Sequence, residues 1–196
     1  LPGTTRDIVC KKIEEVSGKR AGKDFGLCMQ PEFLREGNAI EDTLNPDRVV
    51  IGSFDQKSGD ILEKAYREFY GDKIPTLRMG IDSAEFVKYA NNSFLATKIS
   101  FINEIANICQ LVPGVDVKDI AKGIGLDKRI NSYFLNPGPG FGGSCFPKDV
   151  SAIVHYGHDR GYEPKLLESV LELNKKQAQR MVDLSKKELG TLKGNR

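Results

Sequence analysis

The chain has 196 residues, of which 39% are hydrophobic, 29% charged and 8% aromatic, with a formal net charge of +2. This is the composition of an ordinary folded protein, long enough for one generous domain or two small ones. The near balance of charge removes any electrostatic case for nucleic acid as a partner, and the basic tail Lys186, Lys187, Lys193 and Arg196 reads as a solvated helix end. No charge-free apolar stretch reaches membrane-spanning length, and no basic segment leads into an apolar core at the start. No membrane partner or signal peptide is therefore expected, and a soluble cytoplasmic protein is.

The first residues, Leu-Pro-Gly-Thr-Thr, lack an initiator Met, and Pro2 leads into an amphipathic pattern over residues 7–16. Short apolar runs at residues 25–29 and 48–52, each bounded by Pro, Asn or Gly, predict buried strands. A helical pattern over residues 60–70 and a third strand over residues 75–79 follow. Helices alternating with short buried strands describe part of a doubly wound α/β sheet, and only its second half is expected here.

From Asp82 the character changes. The sequence Asp82-Ser-Ala-Glu85 predicts a capping box, with Asp82 taking a free N–H and Glu85 folding back. A helix then runs to about Val112, where Pro113-Gly114 stops it. Leu95, Ile99, Ile102, Ala106 and Cys109 form one apolar line along it, and Phe94, Phe101, Ile105, Ile108 and Val112 a second. A helix apolar on two sides must be covered on both. A second long helix is expected from Pro164 to about Leu189. Two such helices exceed what a small monomeric core needs, so a homodimer sharing them is expected.

Residues 138–143 contain a literal G-x-G-x-x-G, at Gly138, Gly140 and Gly143. That pattern cradles a pyrophosphate only between a strand and a helix whose free N–H groups face the anion. Here Pro137 and Pro139 interrupt the glycines and no strand-forming run abuts Gly138. The alternative is that the glycines clear space around Cys145. Sulfur attacks as thiolate, which a cation or a helix N-terminus favours; Lys148 and a helix opening near Pro147 supply both. A lone Cys is more often a small buried side chain, and the flanking Gly-Gly-Ser and Lys-Asp shift that balance.

Cys10, Cys28, Cys109 and Cys145 are widely spaced without a C-x-x-C, which reads as free thiols and not as a zinc ribbon or disulfide framework. His155 and His158 lack an H-E-x-x-H context and read as surface residues, so no metal is expected. Lys88 and Asn92, spaced i, i+4, share a helix face and suit an oxyanion, with solvated helix polarity as the bland alternative. Glu32 and Glu36 flank Phe33, Leu34 and Arg35 at the end of a predicted strand, where α/β sheets place ligands. On spacing alone they read equally as a surface carboxylate pair.

Three ordered motifs decide more than any one of them. Pro31-Glu-Phe-Leu-Arg-Glu-Gly37 with Asn45-Pro-Asp-Arg-Val-Val-Ile-Gly52, then Lys88-Tyr-Ala-Asn-Asn92 with residues 96–107, then Phe141-Gly-Gly-Ser-Cys-Phe-Pro-Lys-Asp149, resemble the nucleotide-sugar dehydrogenases of the UDP-glucose and GDP-mannose type. The resemblance covers almost the whole chain. It implies a mainly helical fragment: residues 1–81 as the C-terminal part of an NAD-binding Rossmann-like doubly wound α/β domain, and residues 82–196 as a central α-helical dimerisation and catalytic domain with two long helices. By the same comparison both ends are expected to be cut, with the true cofactor fingerprint upstream and a nucleotide-binding domain downstream.

The implied activity is a two-step NAD-dependent oxidation of a sugar's primary alcohol to a carboxylate, through a thiohemiacetal and a thioester on cysteine. Cys145 matches the nucleophile, Lys88 the oxyanion-stabilising lysine and Asn92 its partner. Asp149 matches the acid that orients the lysine or the hydrolytic water, and Glu32 the carboxylate in proton transfer. Glu36 and Lys148 match cofactor contacts. Phe33, Leu34, Phe134, Leu135, Phe141 and Gly142 match substrate-binding positions, and Arg129 an arginine that reaches the nucleotide of the other subunit. Asn131 stands where the family usually has glycine. Phe146 and Pro147 lean towards UDP-glucose over GDP-mannose. A hydroxyacid dehydrogenase, which needs no thiol, and a dimerisation fragment without turnover are the competing readings.

Overall fold

The computed structural model describes residues 1–194; Asn195 and Arg196, the end of the basic tail, lie outside the described residues. The protein is mainly helical with one small three-stranded sheet, and it divides into two compact units, Leu1–Ala90 and Asn91–Arg196.

In the first unit a π-helical segment, Thr4–Cys10, runs directly into α1, Lys11–Ser17. Glu85 holds the start of this segment. Its buried carboxylate accepts hydrogen bonds from the Gly3 N–H (2.7 Å), the Thr5 N–H (2.8 Å) and the Thr5 hydroxyl (2.6 Å). Donors left free at a helix start are thus satisfied by a carboxylate, which the helix dipole also favours. These contacts correct the expected capping box. Glu85 is engaged by Gly3 and Thr5, Asp82 takes the Arg6 guanidinium, and α4 (Ile81–Cys109) starts at once after a strand.

The sheet has the order β1-β2-β3, formed by Cys28–Met29, Val49–Ser53 and Thr76–Gly80. β1 pairs antiparallel with β2, and β2 pairs parallel with β3, Val49 opposite Thr76 and Ser53 opposite Gly80. The strand expected over residues 25–29 shrinks to two residues. Pro31, with no N–H to give, ends its pairing, while Leu27 packs with Cys10 and Ile81, with Phe25 against them. Val49, Val50 and Ile51 are buried, as a run of β-branched residues in a covered strand should be. A parallel pair needs a long crossover, here α3, Gln56–Tyr70, which Asp55 caps by accepting the Ser58 N–H at 2.8 Å. A short α2, Ala39–Leu44, precedes β2.

α4 spans 29 residues, roughly 45 Å; its residues from Asn91 onward belong to the second unit. There it is joined by α5 (Val117–Gly125), α6 (Phe146–His158) and α7 (Lys165–Leu189). The two apolar lines of α4 differ in fate. Ile102, Ala106 and Cys109 of the first are buried, whereas Phe94, Phe101 and Ile108 of the second are exposed; α4 ends at Cys109, short of the expected Val112, which lies exposed in the turn beyond it. The core of the unit gathers Ala96, Phe141, Val150 and Val170, with Ile99, Phe146, Leu167 and Leu171 packed against them.

Candidate active site

The first unit brings together residues far apart in sequence. The loop after β1 carries Glu32, Phe33, Leu34 and Glu36, and its Glu32 accepts the Leu34 N–H. Lys88, from α4, places Nζ 3.8 Å from Glu32 Oε2 and 5.6 Å from the centre of the Phe33 ring, and the Arg48 guanidinium lies 4.2 Å from the same ring. Cations over an aromatic face are attracted by its quadrupole. The loop is tied to α2 by Asp42, which accepts the Arg35 N–H (2.8 Å), Arg35 Nε (3.0 Å) and Asn38 Nδ2 (2.9 Å). Hydrogen bonds from the Arg35 side chain hold the Asp42 carboxyl well below the usual carboxylate range.

The second unit assembles a different group. Cys145 is exposed and stands at the N-cap of α6, the end of the helix whose dipole favours negative charge. The Asp149 N–H donates to the Cys145 carbonyl at 2.8 Å, so Asp149 sits one turn on. Its buried carboxylate accepts Asn92 Nδ2 at 2.7 Å and faces Lys148 Nζ at 3.2 Å. Asn92, itself buried, thus gives one of its two amide N–H bonds to Asp149 across 57 residues of sequence. A Cβ at Gly142 would meet no protein atom within 4 Å, so packing does not require glycine there, whereas Gly143 has φ +73°. The literal G-x-G-x-x-G is a loop between α5 and α6 that no strand delivers.

Leu135 and Phe141 are buried, and Phe141 and Phe134 both bring their rings to about 6 Å from that of Phe146 (6.0 and 6.2 Å). Phe134 has φ +65°, an uncommon backbone for a bulky residue, and Asn131 has the same φ. Asn tolerates this region better than most residues, which accounts for its standing where glycine is usual. Lys98 Nζ donates to the Ile130 carbonyl at 3.0 Å beside it. Arg129 is not gathered with the other residues. It reaches out to solvent and forks onto Asp127, with Nη2 2.6 Å from Oδ2, and this holds the Asp127 carboxyl low.

Sequence reasoning missed a set of inward amides. Asn174 and Gln177 on α7 and Asn103 on α4 bond the backbone of residues 138–141. The available signal was an amide pair at i, i+3 on the inner face of an amphipathic helix.

Residues 1–194 fit a dinucleotide only in part. The carboxyl ends of β2 and β3 lie side by side, the edge at which such sheets hold ligands. At the start of α3, however, the Asp55 carboxylate caps the helix, accepting the Ser58 N–H and the Ser58 hydroxyl, so a negative group already occupies that end. Among the described residues no cluster of His, Cys, Asp and Glu is placed to hold a metal ion, and no helix is long and apolar enough to cross a membrane.

A sheet with a parallel crossover, a long helix bearing Lys88 and Asn92, and an exposed cysteine capping the helix that carries Asp149 define a nucleotide-sugar dehydrogenase type of chain. The chain belongs to the UDP-glucose/GDP-mannose dehydrogenase family: the NAD binding domain of that family matches residues 1–70 and its central domain residues 82–176. It is 46% identical over 186 residues to the UDP-glucose 6-dehydrogenase AglM of Haloferax volcanii, covering 94% of this chain and 43% of that protein. It is 46% identical over 194 residues to the UDP-glucose 6-dehydrogenase TuaD of Bacillus subtilis, covering 99% and 41%. Among solved structures, a UDP-glucose dehydrogenase from Pyrobaculum islandicum superposes with a TM-score of 0.89 at 42% identity, covering 97% of this chain and 43% of that one. A GDP-mannose dehydrogenase from Pseudomonas aeruginosa, also 42% identical, covers 94% and 42% with a TM-score of 0.62. The chain spans about two fifths of the length of the curated relatives it matches.

Proposed function

We propose that this chain is the central part of an NAD-dependent dehydrogenase that oxidises UDP-glucose to UDP-glucuronate. The observation that carries the reading is the group at the start of α6: an exposed Cys145 with the buried Asn92–Asp149 pair one turn away, in a chain 45–50% identical to several UDP-glucose 6-dehydrogenases. Residues 1–81 then form the C-terminal part of a Rossmann-like NAD domain, and residues 82–196 a helical dimerisation and catalytic domain.

Bound NAD supplies the oxidising power by accepting hydride from the sugar's C6 twice. Glu36 and Lys148 are the cofactor contacts in this chain. Its other residues handle the carbon and the protons. The Cys145 thiolate adds to the C6 aldehyde, forming a C–S bond and an alkoxide, and the ammonium of Lys88 with the amide of Asn92 stabilises the negative oxygen. Once the adduct is oxidised to a thioester, water attacks the carbonyl carbon and the C–S bond breaks, giving the carboxylate, the regenerated Cys145 thiolate and two protons. Asp149 orients the water and Glu32 relays protons. Phe33, Leu34, Phe134, Leu135, Phe141 and Gly142 shape the sugar site, and Arg129 grips the nucleotide held by a second subunit, in a fork suited to phosphate.

Identity to solved structures does not separate the sugars, since the UDP-glucose and GDP-mannose enzymes are both 42% identical; the curated relatives carry the choice of UDP-glucose. The test is NADH formation by the full-length protein with UDP-glucose, with two NADH expected per sugar. The Cys145→Ser variant is expected to stop short of the uronic acid. Undiminished uronate from that variant overturns the nucleophile assignment, and NADH with GDP-mannose alone overturns the substrate.

A further inference from the structure

The loop that delivers Cys145 is held by side-chain amides. Asn174 Oδ1 accepts the Phe141 N–H at 2.7 Å and its Nδ2 donates to the Phe141 carbonyl at 2.9 Å. One side chain thereby satisfies both backbone groups of one residue, as a neighbouring strand would, and only a carboxamide offers a donor and an acceptor in that geometry. Gly140 has φ +105°, and a Cβ there would lie 2.5 Å from Asn174 Oδ1, so the glycine is fitted to the amide. Three residues before Phe141 the Gly138 N–H donates to Asn103 Oδ1 at 2.7 Å, and Gln177 Nε2 donates to the Gly138 carbonyl at 3.0 Å. Asn107 Nδ2 in turn donates to Gln177 Oε1 at 3.1 Å, and Asn103 and Gln177 are both buried. Asn103 Nδ2 and Asn107 Oδ1 are buried without a partner among the described residues, so within this set the Phe141 clamp of Asn174, with both amide groups engaged, is the part that is fully paired, and such pairing is costly to remove.

We propose that Asn174 and Gln177 are positioning residues that set the conformation of residues 142–145 and so the presentation of Cys145. That four-residue segment is anchored at both ends. Upstream, Phe141 is fixed by Asn174 and by the apolar core; downstream, Phe146 opens α6 and meets the Phe141 ring edge-on at 6.0 Å. The intervening Gly142 and Gly143 leave the backbone of the segment conformationally permissive, so its shape depends on those anchors. The catalytic consequence rests on the function proposed above; the effect on the thiol does not.

The test compares the full-length protein with its Asn174→Asp, Asn174→Ala and Gln177→Ala variants. Asn174→Asp keeps the acceptor for the Phe141 N–H but puts a second acceptor against the carbonyl. Three quantities are read: melting temperature, kcat and KM with UDP-glucose and NAD, and the rate of iodoacetamide labelling of Cys145, resolved from other cysteines by peptide mass spectrometry. Arg180→Gln is the control, because Arg180 Nη2 on α7 bonds Gln110 Oε1, just past the end of α4, at 2.7 Å, a side-chain amide contact that does not involve residues 138–145. The expected result is at least a threefold change in Cys145 labelling and a tenfold or greater fall in kcat for the Asn174 variants, with Arg180→Gln at the wild-type level in both. If neither Asn174 variant folds, Gln177→Ala is expected to show the labelling change alone. Wild-type labelling and kcat in the folded variants, or equal changes in Arg180→Gln, overturn the proposal. A wild-type protein that makes no NADH rejects the function, and the labelling comparison still decides the role of the amides.

Discussion

Asp149 and Asp42 are both carboxylates held by donors, but burial separates them. Asp149 is buried, and Asn92 supplies one of its two close partners. Truncating that amide leaves a buried acceptor short of a hydrogen bond, a loss worth about 1–3 kcal/mol. Asn92→Ala is accordingly expected to lower the unfolding free energy by that amount in urea titrations at neutral pH. Asp42 is tied to Arg35, whose side-chain hydrogen bonds lower its carboxyl in the folded state. Because the folded value lies below the unfolded one, the contribution is complete above the ordinary aspartate value of about 4 and is lost as pH falls towards the lowered value. The gap in urea midpoint between wild type and Asp42→Asn should therefore stay constant from neutral pH to about pH 4 and narrow only in more acid solution. A gap that narrows between pH 7 and 5 contradicts this assignment.

α4 shows how one element serves two surfaces. Its buried side, with Ala96, Ile102 and Ala106, is covered within the second unit, while its other apolar line remains in the open. Ile102 is wholly buried, and cutting it back to Ala leaves a cavity that neighbouring side chains fill only partly. Ile102→Ala is expected to cost about 2–5 kcal/mol in chemical denaturation. Ile108→Ala, at 52% exposure, is expected to leave the denaturation of the isolated subunit nearly unchanged. Equal losses at the two sites contradict the assignment of faces.

For the molecule as a whole, the exposed line Phe94, Phe101 and Ile108 of α4, with Val112 just beyond it, is a surface that a homodimer, which we propose, would cover. Large apolar side chains repeated along one helix face mark an interaction surface, and a two-fold pairing of like helices is the commonest closed arrangement. Sedimentation of the protein at micromolar concentration is expected to give a dimer, and Phe101→Glu with Ile108→Glu a monomer of unchanged far-ultraviolet helix signal. A wild-type monomer refutes the interface.

Helix periods, Pro-Gly stops, the β-branched run at residues 49–51 and the glycines around Cys145 are local signals, and each could be read without coordinates because it depends on neighbours a few residues away. The three ordered motifs pointed to the family for the same reason. Side-chain partnership is different in kind: Lys88 meets Glu32, Asn92 meets Asp149, and Asn174 clamps Phe141 only once the chain has folded back. The capping box failed on the same ground, since Glu85, free to fold back in a local reading, met the better-placed donors of Gly3 and Thr5. The sequence by itself determined which chemical groups the protein owns and which segments coil; tertiary structure decided who pairs with whom, because a hydrogen bond depends on distance in space and not on separation along the chain.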